Sequence, residues 1–280
     1  MKISRRNALK LGAGAAAALA TGVNPLRAET AHKIPIGLQL YSVRKDCSQD
    51  LPGVLQAVAK MGYQGVEFAG YYGRDAKQLR KLLDDNGLKC CGTHTSLSTL
   101  SDDAFMKTVE FNKTLGNKFL IVPSLPRGNT SSVQALKDTA KLFGELAAKA
   151  KPLDMRVGYH AHGGDFRDIE GQTPWDILFG NAGKDVVMQL DTGNCLGGGG
   201  DPVAVLKKFP GQTATIHLKE HGGPRNAVLG DGDVKWNEIF ELCETIGGTE
   251  WYIVEQERYN GSPLDTVKAC IDNLRKMGKV

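Results

Sequence analysis

The sequence lacks the cysteine patterns of a structural metal site or a redox centre. Its six cysteines lie at positions 47, 90, 91, 195, 243 and 270, and no two of them have the Cys-x-x-Cys spacing. Structural zinc sites and thioredoxin-like redox sites use that spacing. Because the spacing is absent and Cys90 and Cys91 lie in a predicted strand, we expect free, buried thiols and no disulfide framework.

The chain also has little net charge outside its first 28 residues. It carries 35 Lys and Arg against 31 Asp and Glu, a formal net charge of +4. Five of the basic residues and none of the acidic ones lie in residues 1–28, which leaves 30 basic against 31 acidic residues. A protein that binds the phosphates of a nucleic acid needs a basic surface, so the composition predicts no nucleic-acid partner.

No apolar run is long enough to span a bilayer, and the longest one has the character of an export signal. The stretch from Leu11 to Ala20 is short, rich in Gly and Ala, and preceded by a basic segment. The segment Ser4-Arg-Arg-Asn-Ala-Leu-Lys10 resembles a twin-arginine signal. We predict a signal peptide over residues 1–28, cleaved after Ala20 or Ala28, and a periplasmic or secreted protein without a membrane anchor. An ordinary amphipathic N-terminal helix is the alternative.

From about residue 33 to residue 280, short β-rich runs alternate with longer amphipathic segments. The predicted strands are Pro35–Leu40, Gly65–Phe68, Leu88–Thr93, Lys118–Val122, Met155–His160, Val186–Leu190, Ala214–Leu218 and Trp251–Val254. The predicted helices are Leu51–Met61, Ala76–Asp85, Asp102–Leu115, Ser132–Ala150, Pro174–Phe179, Pro202–Lys208, Trp236–Ile246 and Pro263–Met277. Eight βα units in strict alternation predict an α/β fold, a (β/α)8 TIM barrel. An open doubly wound sheet is the alternative, but the first strand lacks the glycine-rich phosphate turn typical of that fold.

Polar side chains recur where the predicted strands end. In a barrel, the C-terminal ends of the strands form one rim, so these side chains are expected to converge. The rim residues are Gln39, Tyr41, Glu67, His94, His160, His162, Asp191, His217, Lys219, Glu255 and Glu257. We therefore predict the functional site at this rim.

Three successive strands end in Asp191, His217 and Glu255, which together predict a metal site. Taken singly, Asp191 is equally typical of a helix cap, His217 of a core histidine and Glu255 of an ion pair with Arg258. One shared rim position for all three favours a divalent metal. Their oxygen and nitrogen donors suit Mn²⁺, Mg²⁺, Co²⁺ or Zn²⁺.

These residues carry a resemblance to the xylose-isomerase-like TIM-barrel superfamily, which includes sugar phosphate isomerases and epimerases and inosose dehydratases. The motifs that carry it are Gly37-Leu-Gln-Leu-Tyr-Ser-Val-Arg44, Gly65-Val-Glu-Phe-Ala69, Gly158-Tyr-His-Ala-His162, Gln189-Leu-Asp-Thr-Gly-Asn194, Ile216-His-Leu-Lys-Glu220, Leu229-Gly-Asp-Gly-Asp233 and Ile253-Val-Glu255. The resemblance covers about residues 34–278. It implies that Asp191, His217 and Glu255 are metal ligands. The Glu that usually ends strand 5 in the family is replaced by His160, which we expect to be the fourth ligand, with His162 as the other candidate.

The resemblance implies a metal-dependent isomerase or epimerase that acts on a free sugar, keto-sugar or cyclitol through a metal-stabilised enediolate. We expect Glu255, His160 and Lys219 to be catalytic, and Gln39, Tyr41, Glu67, His94 and His162 to face the substrate. Two alternatives stay open. One is β-elimination at the same site, by a keto-glycoside lyase or an inosose-dehydratase-like enzyme, and the other is a carbohydrate-binding barrel without activity. A DNA-hydrolysing barrel would need more metal ligands and a basic surface, and a homo-oligomer is compatible with the sequence.

Overall fold

The computed structural model describes residues 33–259 and 261–280, so the predicted signal peptide lies outside the described residues. Eight short strands are present at the eight predicted places. They are β1 (Ile36–Gln39), β2 (Gly65–Phe68), β3 (Lys89–His94), β4 (Phe119–Val122), β5 (Arg156–His160), β6 (Val187–Gln189), β7 (Thr215–Leu218) and β8 (Trp251–Val254). Nearly every strand residue is buried, as expected for parallel strands that are covered on both faces.

Helices follow the strands around the outside of the sheet. They are α1 (Arg44–Met61), α2 (Ala76–Asp85), α3 (Asp102–Leu115), α4 (Val133–Ala150), α5 (Pro174–Asn181), α6 (Thr192–Gly197), α7 (Pro202–Lys208), α8 (Trp236–Leu242) and α9 (Pro263–Lys276). Within the described part of the chain, no helix has the length and apolarity needed to cross a membrane.

Three helices differ from the sequence prediction. The predicted helix Trp236–Ile246 is α-helical to Leu242 and continues as a π-helical turn over Cys243–Gly247. Helix α1 begins seven residues before the predicted Leu51, but Asp50 has non-helical angles (φ −148°, ψ 78°) and its carboxylate accepts a hydrogen bond from the Gly53 amide at 3.0 Å. The predicted helix is therefore the part of α1 that follows this kink. Helix α6 was not predicted, and it begins directly after Asp191.

The strands form a nearly closed parallel barrel. Their order is β6-β5-β4-β3-β2-β1-β8-β7, and all neighbours in that order are parallel. Strands β6 and β7 meet through a single parallel bridge between Asp191 and His217, in which the His217 amide donates to the Leu190 carbonyl at 2.8 Å. The closure of the barrel thus places two predicted metal ligands side by side.

The inside of the barrel is layered. The apolar layer nearest the N-terminal ends of the strands consists of Cys91, Phe119, Ile121, Val187, Ala214, Trp251 and Ile253. Alternate residues of a strand point to the same side, so the inward positions further along the strands lie above this layer. There the inward side chains are polar, beginning with Gln39, Glu67, Gln189 and Thr215, which we call the inner polar layer. The larger apolar core lies between the sheet and the helices.

The cysteine prediction is confirmed. All six cysteines are free and buried. Burial raises the pKa of the Cys47 thiol to about 12, and it also raises the pKa of the other five thiols. The thiols therefore stay protonated and serve as packing groups.

Candidate metal centre

Four side chains converge at the C-terminal ends of neighbouring strands. They are His160 at the end of β5, Asp191 after β6, His217 in β7 and Glu255 after β8, and we call them the metal-binding cluster. One donor atom from each lies within 4.8 Å of the donor atoms of the other three. All four residues are at most 5% exposed. The structure therefore brings together the four residues that the sequence predicted as ligands.

The contacts inside the metal-binding cluster join carboxylate oxygens to imidazole nitrogens. His217 Nδ1 lies 2.9 Å from Glu255 Oε2 and 3.9 Å from Asp191 Oδ2. His160 Nε2 lies 3.8 Å from the same Glu255 oxygen. Two carboxylates and two imidazoles are a donor set that divalent metals such as Mn²⁺ and Zn²⁺ accept.

Asp191 uses its two carboxylate oxygens differently. Oδ1 accepts a hydrogen bond from the Asn194 amide at 2.6 Å and so caps the start of α6. Oδ2 is buried and has no hydrogen-bond partner among the described residues. Burial raises the pKa of Asp191 to about 8, although the charge of Lys219 opposes the shift. A buried carboxylate oxygen without a partner is costly unless a cation or a proton completes it.

The fit of a metal to this cluster rests on the unpartnered Asp191 Oδ2 and on the neutral imidazole of His160. Besides Asp191 Oδ2, the buried Nδ1 of His160 has no hydrogen-bond partner within the described ranges. Burial, helped by the charge of His217, lowers the pKa of His160 well below its usual value, so this imidazole is neutral and keeps a lone pair. The donor set and the unpartnered Asp191 oxygen thus fit a divalent metal.

The inner polar layer lies directly against the metal-binding cluster. His217 Nε2 lies 2.6 Å from Glu67 Oε2, and Gln39 Nε2 donates to the same oxygen at 2.7 Å. Gln189 Nε2 donates to Glu67 Oε1 at 2.9 Å and to the Thr215 hydroxyl at 3.0 Å. The fully buried Glu67 carboxylate therefore accepts at both of its oxygens.

Charge balance inside the barrel follows from these contacts. Burial alone would raise the pKa of Glu67, but His94 and His217 hold it below its usual value. Burial likewise opposes ionisation of Glu255, and the hydrogen bond from His217 lowers the pKa of Glu255 well below its usual value. Burial lowers the pKa of His217, but Glu67 and Glu255 outweigh it and raise the pKa to about 10. His217 therefore holds a positive charge between two carboxylates in this structure.

Lys219 extends the cluster towards solvent. Its ammonium lies 3.9 Å from Asp191 Oδ2 and 3.9 Å from Glu255 Oε2, and it also pairs with Glu257. Burial lowers the pKa of Lys219, but the surrounding carboxylates outweigh it and raise the pKa above its usual value, which keeps Lys219 charged. A cleft of about 620 Å³ opens beside it, with Asn194, His221, Glu257 and Arg258 among its lining residues.

The residues predicted to face a substrate lie at different depths. Gln39 and Glu67 are fully buried in the inner polar layer. His94 lines a smaller cavity of about 280 Å³, and its Nε2 lies 3.2 Å from Gln189 Oε1. His162 packs edge-on against His160, with ring centroids 4.9 Å apart. Tyr41 is 41% exposed, and the Arg44 guanidinium stacks over its ring at 4.1 Å.

The inner polar layer is completed by Gln189 and Thr215, which were not among the site residues predicted from the sequence. Both occupy inward strand positions two residues before a predicted ligand, Asp191 and His217 respectively. The two-residue periodicity of a strand is the signal that identifies them. Asp165 was also missed. It follows β5 and accepts hydrogen bonds from the Tyr159 hydroxyl at 3.1 Å and the His162 amide at 2.7 Å.

Comparison with known proteins places this geometry in a family. An inosose dehydratase from Lacticaseibacillus casei is 27% identical over 249 residues, which cover 72% of this chain and 82% of that protein. The rhizopine catabolism protein MocC from Rhizobium meliloti is 24% identical, with 80% of each chain covered. A solved structure of a sugar phosphate isomerase/epimerase from Parabacteroides distasonis shares the fold, with a TM-score of 0.79, 23% identity, and coverage of 90% of this chain and 99% of that one. The profile of the xylose isomerase-like TIM barrel family matches residues 55–277, and the chain belongs to that family.

Proposed function

We propose that this chain is a divalent-metal-dependent enzyme that removes a proton next to the carbonyl of a keto-sugar or cyclitol and eliminates water from the adjacent carbon. The metal-binding cluster is the observation that carries the proposal, since it combines buried carboxylates, neutral imidazole and a lysine beside an open cleft. The inosose dehydratases among the relatives support elimination as the outcome. An isomerisation or epimerisation at this site would begin with the same proton removal.

His160, Asp191, His217 and Glu255 would hold the metal, and Asp191 Oδ2 is the atom that gains most from it. When bound, a divalent metal acts as a Lewis acid that polarises the carbonyl and stabilises the enediolate charge.

The chain's own residues supply the proton transfers. Glu255 is ionised and accepts the proton as the C–H bond breaks. The electron pair forms a C=C bond as the C–O bond to the neighbouring hydroxyl breaks. Lys219 donates a proton to that leaving hydroxyl, which departs as water. Because Lys219 Nζ lies 3.9 Å from Glu255 Oε2, the proton returns from Glu255 to Lys219 after product release.

The spacing of His160 and Glu255 favours elimination over epimerisation by two opposed bases. In a two-base epimerisation, one base removes the proton from one face of a carbon and the other base delivers a proton to the opposite face. Each base must therefore come within about 3 Å of the proton that it transfers. They therefore stand well over 4 Å apart. His160 Nε2 and Glu255 Oε2 are only 3.8 Å apart, so they lie on one side of any substrate carbon.

The test combines metal-loaded protein with inososes, free keto-sugars and 3-keto-glycosides in D₂O, followed by NMR. We expect a dehydrated product and deuterium in recovered substrate. Lys219→Met should retain metal within about twofold and lose turnover by about 100-fold or more. An epimer as the product would contradict elimination. Sugar binding without product or deuterium would contradict the enzyme and support a carbohydrate-binding barrel.

We also propose that the protein is exported through the twin-arginine route, on the basis of the Ser4–Lys10 segment. An exported enzyme meets free sugars and glycosides and has little access to phosphorylated intracellular ones, which is why the substrate panel contains no sugar phosphates.

A further inference from the structure

The inner polar layer contains a carboxylate that the proposed reaction does not use. We infer that Glu67 is a positioning residue that fixes the proton of His217 on Nε2, so that Nδ1 offers its lone pair to the metal. The inference rests on the proposed metal site, and it assigns Glu67 a role beneath that site instead of a contact with substrate. Four steps lead to it.

The orientation of the Gln39 amide is fixed by the backbone. The Tyr41 amide donates to the Gln39 side-chain oxygen at 2.9 Å, and a backbone N–H can only donate. The side-chain nitrogen of Gln39 must therefore face Glu67 Oε2, which lies 2.7 Å away. Glu67 Oε2 thus receives one hydrogen bond whose direction is certain.

The Gln189 amide supplies the second donor. Its nitrogen lies within hydrogen-bond distance of Glu67 Oε1 and of the Thr215 hydroxyl, at 2.9 and 3.0 Å. Its oxygen then faces His94 Nε2 at 3.2 Å. Both amide nitrogens point at Glu67, one at each oxygen, and a carboxylate with donors on both oxygens is ionised.

An ionised carboxylate only accepts hydrogen bonds, so His217 Nε2 must donate across the 2.6 Å contact to Glu67 Oε2. The other ring nitrogen, Nδ1, faces Glu255 and Asp191 inside the metal-binding cluster. A metal can take the place of a proton on Nδ1 while the proton on Nε2 stays with Glu67. Metal-bound histidines are commonly oriented by a carboxylate in this way.

Water cannot replace Glu67, because the whole layer is closed. Glu67, Gln39, Gln189, Thr215 and His217 are each 0% exposed. In Glu67→Gln, one of the neighbouring donor groups must face the new side-chain N–H group. This unsatisfied contact stays inside the barrel, because no water can enter to relieve it. The proton of His217 is then no longer fixed on Nε2, and the Nδ1 lone pair is no longer reserved for the metal.

The test measures zinc binding by competition with a chromophoric chelator, and it records the ¹⁵N spectrum of histidine-labelled, Zn²⁺-loaded protein. In the wild type, His217 Nδ1 should show the shift of a coordinated nitrogen, and Nε2 should carry a downfield proton. In Glu67→Gln, zinc affinity should fall about 10- to 100-fold and the Nε2 proton signal should move upfield or disappear.

Thr215→Val is the matched control. It removes one hydroxyl, and with it a neutral hydrogen bond from Gln189, from the same buried layer and leaves the contact between Glu67 and His217 intact. Its zinc affinity should stay within about threefold of the wild type. A Thr215→Val loss as large as that of Glu67→Gln would show a purely structural role and would overturn the inference.

The remaining outcomes separate the inference from the proposed function. Wild-type protein that binds no divalent metal would overturn both. Wild-type protein that binds zinc through Nε2, with the proton on Nδ1, would overturn the inference alone, and this measurement decides the matter even if Glu67→Gln does not fold. Unchanged zinc affinity and an unchanged His217 spectrum in Glu67→Gln would overturn it as well.

Discussion

Asp191 serves the fold and the candidate site with different atoms of one carboxylate. From the sequence, a helix cap and a metal ligand are competing interpretations of this residue. In the structure, Oδ1 caps α6 while Oδ2 faces His217 and Lys219 without a hydrogen bond. The cap holds the carboxylate in one orientation, so the second oxygen is directed into the metal-binding cluster before any ligand arrives.

Gly92 in β3 lies against the inner polar layer, and a side chain at this position would clash with that layer. A Cβ atom at this position would lie 2.2 Å from Glu67 Oε1. We expect Gly92→Ala to displace that carboxylate, to lower the free energy of unfolding by about 1–3 kcal/mol, and to weaken zinc binding. Chemical denaturation and a zinc titration measure the two effects.

Gly180→Ala provides the comparison, since a Cβ there meets no atom within 4 Å and the residue lies in helix α5. It should leave zinc binding unchanged and alter stability by no more than about 1 kcal/mol. Equal zinc affinity in the two variants would contradict the proposed link between Gly92 and Glu67.

At the scale of elements, the segment after β5 is held by a buried acid. Burial raises the pKa of Asp165 from its ordinary value of 3.8 to about 6, although the His162 amide and the Tyr159 hydroxyl oppose the shift. The folded protein therefore binds this proton more tightly than the unfolded chain does. The resulting stability is fully present below about pH 4 and is lost as the pH rises through 6.

The Asp165→Asn variant removes this titration. Relative to the variant, metal-free wild-type protein should lose on the order of 2 kcal/mol of unfolding free energy between pH 4.5 and pH 7.5. Urea denaturation of both proteins at a series of pH values measures the difference. A difference that is constant with pH, or one that grows in the wild type's favour as the pH rises, would show that Asp165 does not titrate in this way.

The elements were largely predictable because their signals are local. Every strand and the helices from α2 to α5 agree with the apolar periodicity and the capping residues of the sequence. Helix α6 escaped prediction because Gly193 and Gly197 are poor helix formers and tertiary contacts hold it, such as the Asn194 side chain on the Ala161 carbonyl at 2.9 Å.

The candidate site was predictable only in part, for a similar reason. Ligands at strand ends follow from alternation within each strand, so His160 and His217 could be placed from the sequence. The pairing of Glu67 with His217 joins residues 150 positions apart. It depends on the barrel's register, including the irregularity between Val66 and Glu67 where β2 meets β3, and no local pattern shows that register.

At the scale of the whole molecule, the N-terminal segment is the basis of the proposed export route. We expect Arg5→Lys with Arg6→Lys to retain the protein, uncleaved, in the cytoplasm, because the twin-arginine receptor reads both guanidinium groups. Cell fractionation with immunoblotting checks this. Lys2→Arg is the control, since it keeps the charge and leaves the arginine pair unchanged. Equal export of the doubly substituted protein would contradict the twin-arginine route.

The proposed activity depends on a divalent metal at the point where β6 and β7 close the barrel. The most direct measurement is the metal content and zinc affinity of purified wild-type protein and of Asp191→Ala. We predict about one metal per chain in the wild type and a loss of at least tenfold in affinity in Asp191→Ala, with the fold retained by circular dichroism. Wild-type protein without metal, or an Asp191→Ala protein that binds metal equally well, would contradict the account.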